Sequence, residues 1–349
     1  MKPVALLMCA CSIVLVLGSA FANTAPLAQA REQMLKGPDG PTVLGICYSG
    51  FRAGQHPDRG DGAVNPSDKE ILEDLLILRD NTPFRLLRLY DARENSETVL
   101  RLIREHDLPF RVMLGAWLQA EVNNPDCPWE PTPFTDEQLA ANKLANATEV
   151  GTAIRLANAY PNIVNAVAVG NEALVIWNDH MVPVESVIAY VRTVKAAVTQ
   201  PVTVADNYDW WATSGAELAA ELDFVSVHIY PVWEQRDIDQ GLSYGIENMQ
   251  RVRDALPDAK LVITEAGWAT TASEFGPRAS QAKQTRYVRE LYEWAASVNI
   301  TTYLFEAFDE SWKGDPNNPM GAEKHWGIFF EDRTPKQATK ILKSLQNDE

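Results

Sequence analysis

Eight short runs rich in valine, isoleucine and leucine, each followed by a stretch of helical period, constrain this chain more than any other feature. The runs cover residues 42–48, 84–90, 109–117, 163–170, 201–206, 223–229, 260–265 and 300–305. They are too apolar to leave one face in water, which marks parallel strands covered on both sides. The helical stretches cover residues 67–79, 95–106, 137–159, 184–198, 215–221, 243–256, 280–297 and 335–345. The first of them opens on Ser67 with Glu70 three residues later, a capping box. Eight strand–helix units predict an α/β fold, a single (β/α)8 TIM barrel with its active site at the C-terminal ends of the strands. An open, doubly wound sheet is the rival. The first strand leads through Gly45-Ile46-Cys47-Tyr48-Ser49-Gly50, which lacks the spacing of a dinucleotide-binding turn. With no repeat, linker or composition break, residues 32–349 read as one catalytic domain.

Charge and cysteine usage narrow the partners. The 349 residues carry a formal net charge of -16, which argues against nucleic acid and anionic membrane surfaces and favours a neutral or cationic ligand. Lys2, the apolar run 4–17 and Ser19-Ala20-Phe21-Ala22 form a signal peptide over 1–22, followed by a disordered leader over 23–31. The expectation is a secreted or periplasmic protein, free of the membrane once the signal is removed, and a monomer. Two cysteines then remain, Cys47 and Cys127. An oxidising compartment permits a bridge between them, and two separate thiols fit the sequence equally well.

Chemistry is sought at the strand ends. Strand four ends Val169-Gly170-Asn171-Glu172, and strand seven ends Ile263-Thr264-Glu265-Ala266-Gly267-Trp268. One glutamate at a strand end reads equally as a surface residue. Two from opposite strands of one bowl supply what glycoside cleavage needs, an acid for the leaving oxygen and a carboxylate for the anomeric carbon or a water. Nine of the ten tryptophans, among them Trp268 and Trp326, lie at strand ends or in the loops that follow. Indole faces around a cleft suit the apolar faces of sugar rings, and about half of these should touch substrate. The loop after strand eight adds Glu306, Phe308, Asp309, Glu310, Trp312, Lys313, Asp315 and Glu323, polar groups and aromatics for sugar hydroxyls and rings.

Other chemistries fit less well. No two histidines have zinc-site spacing, so no metal is expected; His228 inside strand six reads as site-lining. Asp315-Pro316-Asn317-Asn318 reads as a turn rather than a calcium site. A serine hydrolase would need a G-x-S-x-G elbow, which is missing. A non-catalytic carbohydrate-binding barrel uses the same aromatics and stays open as the reading from another class. Asn146-Ala147-Thr148 and Asn299-Ile300-Thr301 match the glycosylation pattern.

Over almost the whole chain after the signal, the sequence resembles glycoside hydrolase family 17, the β-1,3-glucanases and β-1,3-glucanosyltransferases, in a microbial form. The resemblance rests on Gly45-Ile46-Cys47-Tyr48, Leu89-Tyr90-Asp91, Val169-Gly170-Asn171-Glu172 and Thr264-Glu265-Ala266-Gly267-Trp268. Its most specific part is Phe305-Glu306-Ala307-Phe308-Asp309-Glu310-Ser311-Trp312-Lys313 with His325-Trp326-Gly327-Ile328-Phe329. It implies a retaining double displacement without cofactor on β-1,3-glucan, with Glu172 as acid/base and Glu265 as nucleophile. By the same resemblance Asn171 bonds the sugar 2-hydroxyl and Tyr230 orients Glu265. Tyr48, Asp91, Trp268, Glu306, Phe308, Glu310, Lys313 and Trp326 become substrate-binding or supporting positions. An extended segment 50–65 and a Trp- and Pro-rich insertion 119–134 depart from the plant-type pattern, which leaves endo action, exo action and transfer to a sugar acceptor open.

Overall fold

The computed structural model describes residues 34–345 except 59 and 130; the signal peptide and leader expected over 1–31 lie outside the described residues. Eight strands close into an all-parallel barrel: β1 (Leu44–Cys47), β2 (Leu86–Arg88), β3 (Arg111–Ala116), β4 (Val164–Asn171), β5 (Val202–Asn207), β6 (Val225–Ile229), β7 (Leu261–Gly267) and β8 (Thr302–Phe305). Closure is made by β8 against β1, with Thr302 opposite Leu44 and Leu304 opposite Ile46. Every strand predicted from an apolar run is present, because each is buried on both faces between the barrel interior and the helical ring.

The ring consists of α1 (Asp68–Asn81), α2 (Glu94–Glu105), α3 (Asp136–Ala159), α4 (Val184–Ala197), α5 (Tyr208–Ser214), α6 (Ala216–Ala219), α7 (Ile238–Ala255), α8 (Gln281–Val298) and α9 (Ala338–Leu345). Local chemistry sets their starts. Ser67 and Glu70 form the expected capping box, and Thr135 with Gln138 forms a second on α3.

Two helices depart from the sequence reading. The single helix expected over 215–221 begins seven residues earlier, as α5, and is completed by the short α6. Asn207 caps α5 by accepting from the Asp209 amide at 2.8 Å, and fully buried Trp211 pins it by donating to the Ser226 carbonyl at 2.9 Å. An aromatic run that looked like cleft lining is thus a packed helix. Helix α7, expected from 243, starts at Ile238 behind the Asp237 cap. Gly241 in its first turns is a packing feature: a Cβ there would stand 2.9 Å from the Trp268 ring.

The sequence reading also missed an antiparallel pair, Leu35–Lys36 with Pro41–Thr42. It lies against the N-terminal ends of the strands, where buried Leu35 donates its amide to Thr301 Oγ1 at 2.7 Å. No helix among the described residues is long and apolar enough to cross a membrane.

Candidate active site

The ends of β4, β6 and β7 bring together Glu172, His228 and Glu265, with one ligating atom from each lying within 4.8 Å of the others. Glu172 follows β4 in a left-handed conformation, φ 46°, behind Gly170 at φ 86°. A side chain pays for that backbone region, so the position must be held by its neighbours. The Glu172 amide donates to the Ala205 carbonyl at 2.9 Å, and its carbonyl accepts from Asn178 Nδ2 at 2.7 Å. Its carboxylate stays partly open, and His228 Nδ1 lies 2.9 Å from one oxygen.

Glu265 is buried and heavily bonded. Arg88 Nη1 and the Tyr90 hydroxyl (3.1 Å) donate to Oε1, and the Tyr230 hydroxyl donates to Oε2 at 2.6 Å. His228 Nδ1 stands 3.5 Å from Oε2. Burial pushes this carboxyl up, but the charges of His228 and Arg88 and the Tyr230 hydroxyl outweigh it, and the group sits below the ordinary carboxylate range. Arg88 also donates from Nη2 to Asn171 Oδ1 at 2.5 Å, so one guanidinium fixes two neighbouring site residues. At Gly267, two residues past Glu265, the backbone of β8 comes close, and a Cβ there would meet the Phe305 carbonyl oxygen at 2.2 Å.

A second knot lies after β8. Lys313 Nζ pairs with Glu306 and, at 2.9 Å, with Glu310, which also accepts from Ser49 Oγ and the Phe51 amide. Glu306 and Glu310 are both 1 % exposed and hold the loop through Lys313, while Glu306 Oε1 has no partner among the described residues. Burial first, with Glu310 adding to it, pushes the Glu306 carboxyl well up against the pull of Lys313. Burial and the charges of Glu172 and Glu265 push Glu323 up to about 7 against the pull of Lys313.

Burial corrects several sequence expectations. Tyr48 turns into the barrel wall, where its hydroxyl donates to Asp74 at 3.3 Å. Phe308 packs on Tyr48 and Phe329, and Trp268 is fully buried against Tyr287 with its N–H on the Arg278 carbonyl. Trp326 is buried under Tyr230, Phe305 and Trp233. Phe308, Trp268 and Trp326 therefore serve as loop anchors, a use their position alone does not distinguish from sugar contact. Half-buried Asp91 accepts from the Arg93 amide and Ser96 Oγ with one oxygen, Oδ1, at the start of α2, a supporting position. The Asn146 sequon is closed off, since Asn146 is buried with its amide bonded to Gln119 and Glu121. Asp315 accepts from the Asn317 amide in an ordinary turn.

Both cysteines are separate buried thiols. Cys47 lies beneath the site with its thiol pushed up to about 12 by burial, and Cys127 donates to the Trp177 carbonyl at 3.6 Å. Arg88 and Tyr90 are the site residues that sequence reading missed. The available signal was an arginine inside the otherwise apolar run Leu86-Leu87-Arg88-Leu89. Among the described residues, Glu172, His228 and Glu265 are the one group spaced to hold a metal ion, and Arg88 already supplies a positive charge there.

Residues 45–327 match the family model for the BtgE/BtgC glycoside hydrolase domain. The chain is 27% identical over 302 residues to a putative glucan endo-1,3-β-glucosidase, btgC, of Aspergillus niger, covering 79% of this chain and 40% of that protein. It is 24% identical to a glucan 1,3-β-glucosidase of Arthroderma benhamiae, covering 72% of this chain and 78% of that one. The crystal structure of an endo-laminarinase from Formosa superposes with a TM-score of 0.74 at 25% identity, covering 87% of each chain. A Rhizomucor miehei β-1,3-glucanosyltransferase shares the fold, with a TM-score of 0.63 at 22% identity over 84% of this chain and 95% of that one.

Proposed function

Because the chain belongs to the BtgE/BtgC glycoside hydrolase domain family, as its resemblance to glycoside hydrolase family 17 implies, we propose that it cleaves β-1,3-glucan with retention of anomeric configuration. The observation that carries the mechanism is the spacing of Glu172 and Glu265, whose facing oxygens lie within 4.8 Å. Inverting enzymes keep their carboxyl groups roughly 6.5–9.5 Å apart to admit a water, whereas a nucleophile must reach the anomeric carbon itself. The unequal surroundings assign the roles. Glu265, ionised by Arg88 and oriented by Tyr230, attacks the anomeric carbon and forms the glycosyl–enzyme bond. Glu172, on the open side, gives its proton to the departing glycosidic oxygen. It then takes a proton from water, whose oxygen displaces Glu265 and frees the sugar. With Oδ1 of Asn171 held by Arg88, its Nδ2 is the donor for the sugar 2-hydroxyl.

Residues 32–349 act in this reading as one catalytic domain, in a secreted or periplasmic monomer that meets a neutral polysaccharide. The test follows laminari-oligosaccharides by NMR and mass spectrometry. Shorter products whose first-formed reducing end is the β-anomer support the reading, and Glu265→Ala then cuts turnover by several orders of magnitude. First-formed α-anomer would sink retention. Products longer than the starting sugar would replace water by a sugar acceptor in the second step.

A further inference from the structure

The insertion 119–134 takes no part in the reaction just described, yet it is bonded to the loop that leaves Glu172. Asn124 Nδ2 donates to the carbonyls of Ile176 at 2.7 Å and Asn178 at 2.8 Å. The Trp129 indole N–H donates to the Trp177 carbonyl at 2.9 Å, beside the Cys127 thiol on the same oxygen. Asn178 closes the ring by donating to the Glu172 carbonyl at 2.7 Å. Glu121 adds a backbone bond to the Met181 carbonyl at 2.9 Å. Asn124, Cys127 and Trp129 of the insertion are thereby tied to the acid/base loop.

At this junction Trp129 is 70% exposed and Ile176 64% exposed, with Trp177 half-buried. The Trp129 N–H is already bonded, so the indole is fixed in orientation while much of its ring stays in water. A rigid aromatic face of this kind is matched by the C–H face of a pyranose. The net charge of -16 argues against an anionic occupant. Continuity with the Glu172 loop argues for the chain being cut rather than an unrelated molecule.

We propose that Trp129, with Ile176 at the same junction, is a glucan-binding platform that stacks a glucose unit of the substrate beyond the catalytic bowl, on the side of β3 and β4. This rests on the glucan-cleaving reading. It makes the insertion a determinant of substrate length, because only a chain long enough to leave the bowl reaches the platform.

The experiment compares kcat/KM for laminariheptaose and laminaritriose in the parent, Trp129→Ala and Trp129→Phe. The expected result is a fall of roughly ten-fold in the heptaose-to-triose ratio for Trp129→Ala, the order that one aromatic contact contributes. Trp129→Phe, which keeps a ring but loses the N–H, should recover most of it. An unchanged ratio in Trp129→Ala overturns the platform. So does a Trp129→Phe ratio as low as that of Trp129→Ala, which would make the side chain a brace. Self-association of the parent that Trp129→Ala abolishes, seen by sedimentation, would assign the face to a second copy of the chain instead. Failure of the parent to cut either sugar strikes the functional reading. Calorimetric titration of the same proteins with laminariheptaose then judges the platform by affinity alone, and equal affinities overturn it.

Discussion

Arg88 carries more of the site than any residue that touches it from a loop. It is 1 % exposed, it sits inside the barrel on β2, and its guanidinium reaches both Glu265 and Asn171. A buried cation against a carboxylate lowers that group's pKa by roughly one to three units. Glu265 lies below the ordinary range despite a burial that works the other way, so the arginine and His228 together keep it ionised. Taking the cation away favours the protonated carboxyl. Arg88→Gln should therefore move the acid limb of the kcat/KM–pH profile upward by about one to three pH units. It should also lower the plateau, since Asn171 loses its orienting partner. A profile that drops in height with its acid limb unmoved would show that His228 and the tyrosines suffice to ionise Glu265. The sequence made Glu265 and Glu172 visible because strand ends are where a barrel does chemistry. It hid Arg88 because a charged residue in mid-strand carries no sign of which wall it faces or what it meets there.

Helices and loops are joined at this same end by single buried side chains, of which Glu149 on α3 is the clearest. Its Oε1 accepts the Ala92 amide at 2.6 Å and the Trp117 amide at 3.3 Å, tying the loops after β2 and β3 to one helix. Burial, with Asp91 nearby, pushes its carboxyl up from 4.5 to about 7, against the pull of its amide donors and Arg93. A folded pKa raised above the unfolded one leaves stability intact below pH 4.5 and removes it as pH rises through about 7. Glu149→Gln keeps the accepting oxygen and removes the charge. It should match the parent near pH 4.5 and exceed it at pH 8 by on the order of 3 kcal/mol in urea unfolding. Equal stability at both pH values would mean that water or Arg93 solvates the carboxylate fully. Elements were legible from sequence where burial is two-sided, as in all eight strands, and where caps are local, as at Ser67. They were not legible where a tertiary contact decides, as for Trp211 under β6 or Gly241 against Trp268. For the same reason Trp268 and Phe308 were assigned to the cleft: a strand-end aromatic is spelled alike whether it faces sugar or its own core.

At the scale of the whole molecule the two ends of the barrel do different work, and this separation can be tested. Reacting groups occupy the C-terminal end, while the N-terminal end is covered by the Leu35–Lys36 and Pro41–Thr42 pair. Thr301, ahead of β8, is the fastening: its hydroxyl accepts the Leu35 amide at 2.7 Å and donates to the Thr42 carbonyl at 2.6 Å. Asn165, on β4, adds a bond to the Lys36 carbonyl at 3.2 Å. Thr301→Ala would leave the buried Leu35 amide without its acceptor, a loss of about 1–3 kcal/mol. In barrels the N-terminal face serves stability and the C-terminal face serves catalysis. The variant should therefore unfold at lower temperature while kcat and KM at moderate temperature stay those of the parent. A closed sheet spreads the loss, because β8 pairs with both β1 and β7, so loosening its foot weakens the seam that completes the ring. The melting curve should shift as a whole, without a new early step, if residues 32–349 form one cooperative domain. An early step would mean that the hairpin peels away alone and the barrel needs no cover. A parallel fall in kcat would mean that the two ends communicate through β8, whose C-terminal loop carries Glu306, Glu310 and Lys313.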